Sequence, residues 1–198
     1  MAHSKTAEHA AAEAAPEVPA NSDAKPQRKR ITRRKAVEQH VRSYFEAMDR
    51  RDVEAMVSHW REDGVDDMVP VGLLRGRDEM REYFKSVFAA TPDARTTVTR
   101  LVAGEQSCAA EWRIEGTFEG APYLGIEPTG KHIEIRGLDL FELEDGEIVS
   151  NTGYFDGASF ARQIGMLPPD GSGADRAMKS AFNAVTKLRR AVAERKSA

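Results

Sequence analysis

The chain has 198 residues, of which 40% are hydrophobic and 31% charged, a composition typical of one globular domain with tails rather than two domains. The net charge of −3 excludes a field that would draw the whole molecule to nucleic acid or to an acidic membrane, so we expect neither partner. No run approaches the roughly 18 apolar residues of a membrane-spanning helix, and no secretory leader is evident, so a cytoplasmic setting is expected.

The first 32 residues are rich in Ala, Glu, Pro and Lys and contain no aromatic side chain. Such a segment buries too little apolar surface to offset its ordering entropy, so we predict a disordered tail over residues 1–32. Its end is basic, and because no aromatic residues alternate with the charges, a solvated tail is favoured over a nucleic-acid contact. These basic residues are Arg28, Lys29, Arg30, Arg33, Arg34 and Lys35.

Three helices are predicted next, beginning near Arg33. Each has apolar residues at the spacing of one helix face. The second follows Asp52 as N-cap and is predicted to close at residues 62–64, and the third stops before Pro92. The three apolar stripes are Val37, Val41, Phe45 and Met48; Val53, Met56, Val57 and Trp60; and Met80, Phe84, Val87 and Phe88.

From Arg95 the hydrophobic period changes to two, which indicates strands with one buried face. Strands are predicted near residues 96–101, 110–118, 131–144 and 147–156, with Asp145 and Gly146 as a hairpin turn. The single cysteine, Cys108, just precedes the second of them, beside Ala109 and Ala110, and is expected to occupy a buried strand position. Three helices followed by an antiparallel meander predict an α+β fold with the helices on one face of a curved sheet.

A short helix over residues 160–166 completes the predicted domain, which spans residues 33–168. Residues 169–198 are predicted to be the linker and a C-terminal amphipathic helix. This helix could pack on its own domain or on a second subunit, and the sequence leaves both open. Its apolar stripe is Met178, Phe182, Val185, Leu188 and Val192.

Five short segments carry a family resemblance. They are YFEAM at 44–48 with Asp52, GTFEG at 116–120, GIEPTGK at 125–131, DGEI at 145–148 and RQIGMLP at 162–168. As a set they resemble the SnoaL-like (polyketide cyclase/ester cyclase) branch of the nuclear transport factor 2-like superfamily, over about residues 35–168. The resemblance implies a cone-shaped, strongly curved antiparallel sheet packed on three N-terminal helices, with a deep apolar cavity. It also implies distant kinship with ketosteroid isomerase and limonene-epoxide hydrolase.

The resemblance further implies where acids should act, because desolvation in an apolar pocket makes them useful at neutral pH. The acid usual in cyclases of this family falls on Gly153, which cannot transfer a proton. By similarity to the isomerase, Tyr44 and a protonated Asp139 would stabilise an oxyanion. Independently of the resemblance, the alternation of side chains along a strand (strand parity) places Asp139 on the same face as the apolar residues of its strand. The isomerase base falls near Met68 or Val69, so Asp66 or Asp67 would have to substitute for it.

The expected pocket residues are Trp60, Trp112, Phe118, Phe141, Asn151 and Phe155. Asp156 is expected to cap a helix, and His59 and His132 to lie on the surface. No metal-ligand spacing or phosphate loop is present, so no cofactor is expected.

Two functions follow, and the sequence leaves both open. One is a cofactor-independent isomerase or cyclase acting on a polyketide- or steroid-like carbonyl compound, which the surround of Asp139 favours. The other is a non-catalytic ligand-binding or dimeric scaffold protein, which Gly153 favours. Both imply a small hydrophobic molecule as partner, and a homodimer is expected.

Overall fold

The computed structural model describes residues 24–69 and 71–197, which form an α+β fold as predicted. The helices are α1 (Ala24–Asp49), α2 (Val53–Ser58), α3 (Gly76–Ala90), α4 (Gly157–Gln163) and α5 (Gly173–Ser197). The strands are β1 (Trp60–Met68), β2 (Gly72–Arg75), β3 (Arg95–Ala103), β4 (Ser107–Phe118), β5 (Lys131–Glu144) and β6 (Glu147–Phe155).

The strands form one open, curved sheet in the order β2-β1-β6-β5-β4-β3. The predicted meander of β3 to β6 is antiparallel throughout. Register shifts within the β3–β4 and β5–β6 pairs add local twist and bend the strands. The structure adds β1, which pairs antiparallel with β2 but runs parallel to β6, so the last strand is inserted between two others.

The core lies between the helices and one face of this sheet. In β5, buried and exposed residues alternate, as its hydrophobic pattern predicts. Helix α1 contributes a buried stripe at helical spacing, confirming the prediction for this segment. The side chains concerned are Ile133, Ile135, Phe141 and Leu143 in β5, and Val37, Val41, Tyr44, Phe45 and Met48 in α1.

The predicted end of the second helix at residues 62–64 is wrong. Helix α2 begins after its N-cap Asp52, as predicted, but it ends at Ser58, and Trp60 opens β1. The segment contains charged residues and Gly64, a local pattern typical of a turn. Pairing with β2 on one side and β6 on the other satisfies its backbone groups and overrides that local preference.

The predicted boundary between tail and domain at residue 32 is also wrong, because α1 begins at Ala24. Residues 24–32 are basic and polar, but Lys and Arg favour helix, and the segment continues a helix whose later face is packed. Arg30 also forms an exposed ion pair of 2.6 Å with Glu105, in the β3–β4 turn. The remainder of the predicted tail, residues 1–23, lies outside the described residues.

Helix α5 does not pack its apolar stripe on its own domain, since all five stripe residues are exposed. Only its first turn is fixed, where the buried carboxyl of Asp175 accepts hydrogen bonds from the Gly171 N–H and the Lys179 ammonium group. No helix in the described part of the chain is long and apolar enough to cross a membrane.

Candidate active site

A cavity of about 330 Å³ lies between the sheet and α3. Its walls are mainly apolar, and four of the predicted pocket residues line it: Trp112, Phe118, Asn151 and Phe155. Trp112 lies across β4–β5 from Gly137, where a Cβ would come within 2.2 Å of its ring. Because Gly137 has no side chain, β5 leaves room for the Trp112 indole, which forms one wall of the cavity.

The other two predicted pocket residues, Trp60 and Phe141, do not line the cavity. Both are buried in an aromatic cluster with Tyr44, at ring-centroid distances of 6.2 Å and 5.7 Å from it. They share the inward face of the sheet, as strand parity requires, but their part of that face is covered by α1, whose Phe45 ring also contacts Phe141. Parity predicted the face of Phe141 correctly but could not predict what covers it, whereas Trp60, predicted on the second helix, opens β1 instead.

Two buried carboxyl groups converge on the cavity from either side of β6. Asp66 in β1 is paired with Asn151, and Asp139 in β5 is paired with Gly153. Because Asn151 and Gly153 are two residues apart on one strand, they share a face, and so do the two carboxyls. Asp66 is 0% exposed and Asp139 5%. The Asn151 amide donates a hydrogen bond of 2.9 Å to Asp66 Oδ1.

Burial raises the pKa of both carboxyls to about 7, because removal from water disfavours the charged form. The two carboxyls differ in the second-largest influence on their pKa values. The Asn151 hydrogen bond lowers the pKa of Asp66, whereas the negative charge of Asp66 raises the pKa of Asp139, which the neighbouring Trp112 and Asn151 side chains lower. The pair therefore titrates as a unit near neutral pH.

Tyr44 reaches the cavity from α1 and is fully buried. Burial raises the pKa of its phenol well above the usual value, and the charges of Asp66 and Asp139 raise it further. The phenol therefore keeps its proton and is a hydrogen-bond donor at neutral pH. The structure thus brings Tyr44, Asp66 and Asp139 to one cavity.

Asp67, the alternative to Asp66, does not line the cavity. It follows Asp66 in a strand, so its side chain points to the opposite face and is partly exposed. The sequence allows either residue because it does not decide between strand and loop for residues 65–71, and only a strand fixes which of two neighbours points inward.

Gly153 lies at the centre of the site. A Cβ built on it would be 2.9 Å from Asp139 Oδ1 and 2.8 Å from Met68 Sδ, which is closer than real Cβ contacts. The carboxyl that the resemblance places at position 153 is missing, but the Asp139 carboxyl from the neighbouring strand lies against the same point. The lack of a side chain at 153 provides the space for it.

A second polar feature of the cavity was missed by the sequence reasoning. The hydroxyl groups of Tyr83, in α3, and Tyr123, in the β4–β5 connection, are 3.0 Å apart and both line the cavity. Burial raises the pKa of both phenols. Tyr83 is next to a predicted core stripe, but no periodic pattern relates it to Tyr123, 40 residues away.

Four buried polar atoms of the cavity lining have no hydrogen-bond partner within the described residues. They are Asp66 Oδ2, Asp139 Oδ1, Asn151 Oδ1 and Trp112 Nε1. Buried polar groups in native proteins are nearly always paired, so these atoms mark where ligand or water atoms bind. Three of the four are oxygens: one from each carboxyl of the pair, and the amide oxygen of Asn151.

The remaining predicted residues lie outside the cavity. Asp156 caps α4 by accepting from the Ser159 N–H at 2.9 Å, as predicted, and Cys108 and His132 are buried and exposed as expected. His59, expected on the surface, is half-buried beside His40, at a ring-centroid distance of 4.8 Å. Within residues 24–69 and 71–197, no three His, Cys, Asp or Glu side chains converge as metal ligands do.

Comparison with known families and structures agrees with this architecture. The family model described as SnoaL-like polyketide cyclase matches residues 38–164. No curated protein matches the sequence.

Among solved structures, AclR from Streptomyces galilaeus, described as a candidate hydroxylase, is 20% identical with a TM-score of 0.60, over 79% of this chain and 94% of that one. TsrD from Streptomyces laurentii is 23% identical with a TM-score of 0.61, over 68% and 98%. A protein from Catenulispora acidiphila with a ketosteroid isomerase-like fold, in complex with trimethylamine, is 20% identical with a TM-score of 0.55, over 67% and 96%. These TM-scores show a shared fold.

Proposed function

Because the chain belongs to the SnoaL-like polyketide cyclase family, we propose that it is a cofactor-independent acid–base enzyme acting on a small hydrophobic carbonyl compound of polyketide- or steroid-like shape. The observation that carries the proposal is the pair of buried carboxyls, Asp66 and Asp139, each with its pKa raised to about 7 in one apolar cavity. A general acid or base is most effective when its pKa lies near the working pH.

The two carboxyls take different roles because their neighbours differ. Asp66 accepts the Asn151 hydrogen bond, which favours its carboxylate form, and it removes a proton from the carbon next to the substrate carbonyl. Asp139 faces that negative charge and keeps its proton. Protonated Asp139 and the Tyr44 phenol then donate hydrogen bonds to the enolate oxygen that develops.

The substrate class follows from the walls. A volume of about 330 Å³ is at the small end of ligand pockets, which span roughly 300–1,000 Å³. Apolar walls select a hydrophobic skeleton, and the few polar atoms around Asp66 and Asp139 select one reacting carbonyl. Proton removal and return at neighbouring carbons gives isomerisation, and attack of the enolate carbon on a second carbonyl in the same molecule gives cyclisation.

The experiment measures proton exchange and enolate-mimic binding separately. Wild-type protein is incubated with 2-tetralone in D₂O and deuterium uptake is followed by NMR, while 2-naphthol, a mimic of its enolate, is titrated by fluorescence. Asp66→Asn should slow exchange by about 10²- to 10⁴-fold and still bind 2-naphthol. The double change Tyr44→Phe/Asp139→Leu should weaken 2-naphthol binding.

Asp67→Asn is the matched control, because it removes the neighbouring carboxyl on the opposite face of β1; it should leave 2-naphthol binding unchanged and alter exchange far less than Asp66→Asn, since burial and not the Asp67 charge is the main cause of the raised pKa of Asp66. Wild-type protein that binds 2-naphthol but exchanges no proton on any ketone tested would support the non-catalytic binding protein instead. Unchanged 2-naphthol affinity in the double variant would refute the oxyanion roles of Tyr44 and Asp139.

A further inference from the structure

Helix α5 is exposed along almost its whole length. From Arg176 to Lys196 no residue is buried, and Thr186 alone is partly covered. Its largest apolar side chains are among the most exposed in the described chain, with Phe182 at 69% and Leu188 at 66%. Soluble helices normally bury such a stripe, so this surface is expected to meet a partner outside the domain.

The charge of α5 is opposite to that of the whole chain. The helix contains seven Lys and Arg residues and two Asp and Glu residues, in a protein of net charge −3. Whole-chain charge, on which the expectation of no membrane partner depended, therefore conceals a strongly basic helix.

The two properties are arranged on different sides of the helix. At 100° per residue the apolar side chains of the stripe fall on one side, and the exposed basic residues Arg176, Lys179, Lys187 and Arg190 fall on the other. Near the C-terminal end of the helix, Arg189 and Lys196 fall within the arc of the stripe itself. This is the pattern of a helix that lies in a membrane interface, with its apolar side among the acyl chains and its long basic side chains extended to the headgroups.

We propose that α5 binds an anionic lipid surface as a peripheral amphipathic helix. Charge complementarity favours an anionic lipid surface over a second copy of this chain, because two α5 helices, each with seven basic and two acidic residues, would repel each other. Attachment through a single turn around Asp175 and Gly171 lets the helix lie along a surface while the domain remains in solution. The proposal stands independently of the chemistry proposed for the cavity.

The test uses the full chain in flotation with vesicles of phosphatidylcholine alone or with about 30% phosphatidylglycerol. Binding is expected only with the anionic vesicles, and it should weaken as salt rises from about 0.1 M to 0.5 M. Lys187→Gln/Arg190→Gln should weaken it at least tenfold, since each interfacial basic residue contributes about a fivefold factor. Phe182→Ser/Leu188→Ser should also weaken it at least tenfold.

The matched control is Ser180→Ala/Asn183→Ala, which alters two exposed residues on the basic side of α5 and should leave binding unchanged. All four side chains changed in α5 test variants are exposed, so an unchanged circular dichroism spectrum will show that the domain stays folded. Failure to float with anionic vesicles overturns the proposal. So does loss of a dimer in Phe182→Ser/Leu188→Ser with vesicle binding unaffected, or binding that depends on the charges alone, as nucleic acid would give.

Discussion

The inward face of the sheet has two ends that the same strands form, but packed side chains fill only one of them. At the filled end, the rings of Tyr44, Phe45, Trp60 and Phe141 pack edge to face. At the cavity end, aromatic and aliphatic residues leave a space of about 330 Å³. Strand β5 supplies both ends with one alternating pattern, giving Phe141 to the first and Ile135 and Asp139 to the second.

The difference between the ends lies in what covers the sheet. Helix α1 inserts Phe45 against Phe141 and fills one end, whereas α3 and the β4–β5 connection leave room at the other. Tyr44 belongs to both, with its ring in the aromatic cluster and its surface in the cavity wall. One end contributes stability, and the other holds two carboxyls at a cost in stability.

The largest effect is expected from truncating the filled end. Phe141→Ala should lower the free energy of unfolding by about 3–5 kcal/mol, because tightly packed neighbours cannot collapse into the hole. Phe118→Ala at the cavity wall should cost less, since one side of that ring already faces empty space. Urea unfolding measures both, and equal losses would contradict the contrast between the ends.

The next effect is a pH dependence that belongs to the cavity end. The pKa of Asp66 and of Asp139 is about 7 in the folded chain, against 3.8 ordinarily. Between these values the folded protein holds protons that the unfolded chain has released, so stability falls as pH rises. From pH 5 to 8, each carboxyl should account for a loss of about 2–3 kcal/mol at most.

Asp66→Asn and Asp139→Asn should each flatten this slope, whereas Asp67→Asn, on the opposite face of β1, should change it much less, because burial and not the Asp67 charge is the main cause of the raised pKa of Asp66. Urea titrations at pH 5 and pH 8 check it. If neither cavity variant changes the slope, the raised pKa values are wrong, and the proposed acid–base roles lose their basis.

The smallest effect is expected at the glycines of the two ends. Gly153→Ala should cost about 1–3 kcal/mol, because its methyl group must displace Asp139 Oδ1 and Met68 Sδ. It should also weaken 2-naphthol binding by moving the Asp139 carboxyl. Gly64→Ala is the counterpart at the filled end, where the added Cβ comes within 3.0 Å of the Trp60 ring, and it should lower stability without changing binding.

The sequence predicts most of this fold because most elements have a single clear period. Helix α3 and strands β4 and β5 bury or partly bury the residues that their patterns indicate, and the burial of Asp139 follows from strand parity. Strand β1 was missed in part because most of its residues are charged or Gly, so its conformation depends on β6, about 85 residues later. Local patterns carry no information about such pairing.

The site was only half predictable for the same reason. Asp139 and Tyr44 lie on elements with regular periods, whereas the choice between Asp66 and Asp67 required the β1–β6 register. Phe141 was assigned to the pocket wrongly because parity gives only a direction and not a neighbour, and Trp60 was predicted on a helix face rather than in β1. The start of α1 at Ala24 was missed because a polar segment adjoining a packed helix is stabilised by that helix.

The insertion of β6 between β1 and β5 has a consequence for how the molecule folds. Until this late strand is seated, Asp66 has no Asn151 beside it and neither carboxyl is enclosed, so both titrate as ordinary solvated acids. The desolvation of two charges therefore falls on the step that seats β6, which acidic conditions should accelerate by protonating both groups beforehand. A chain that has not completed its sheet has no enclosed carboxyl pair, so the raised pKa values belong only to fully formed molecules.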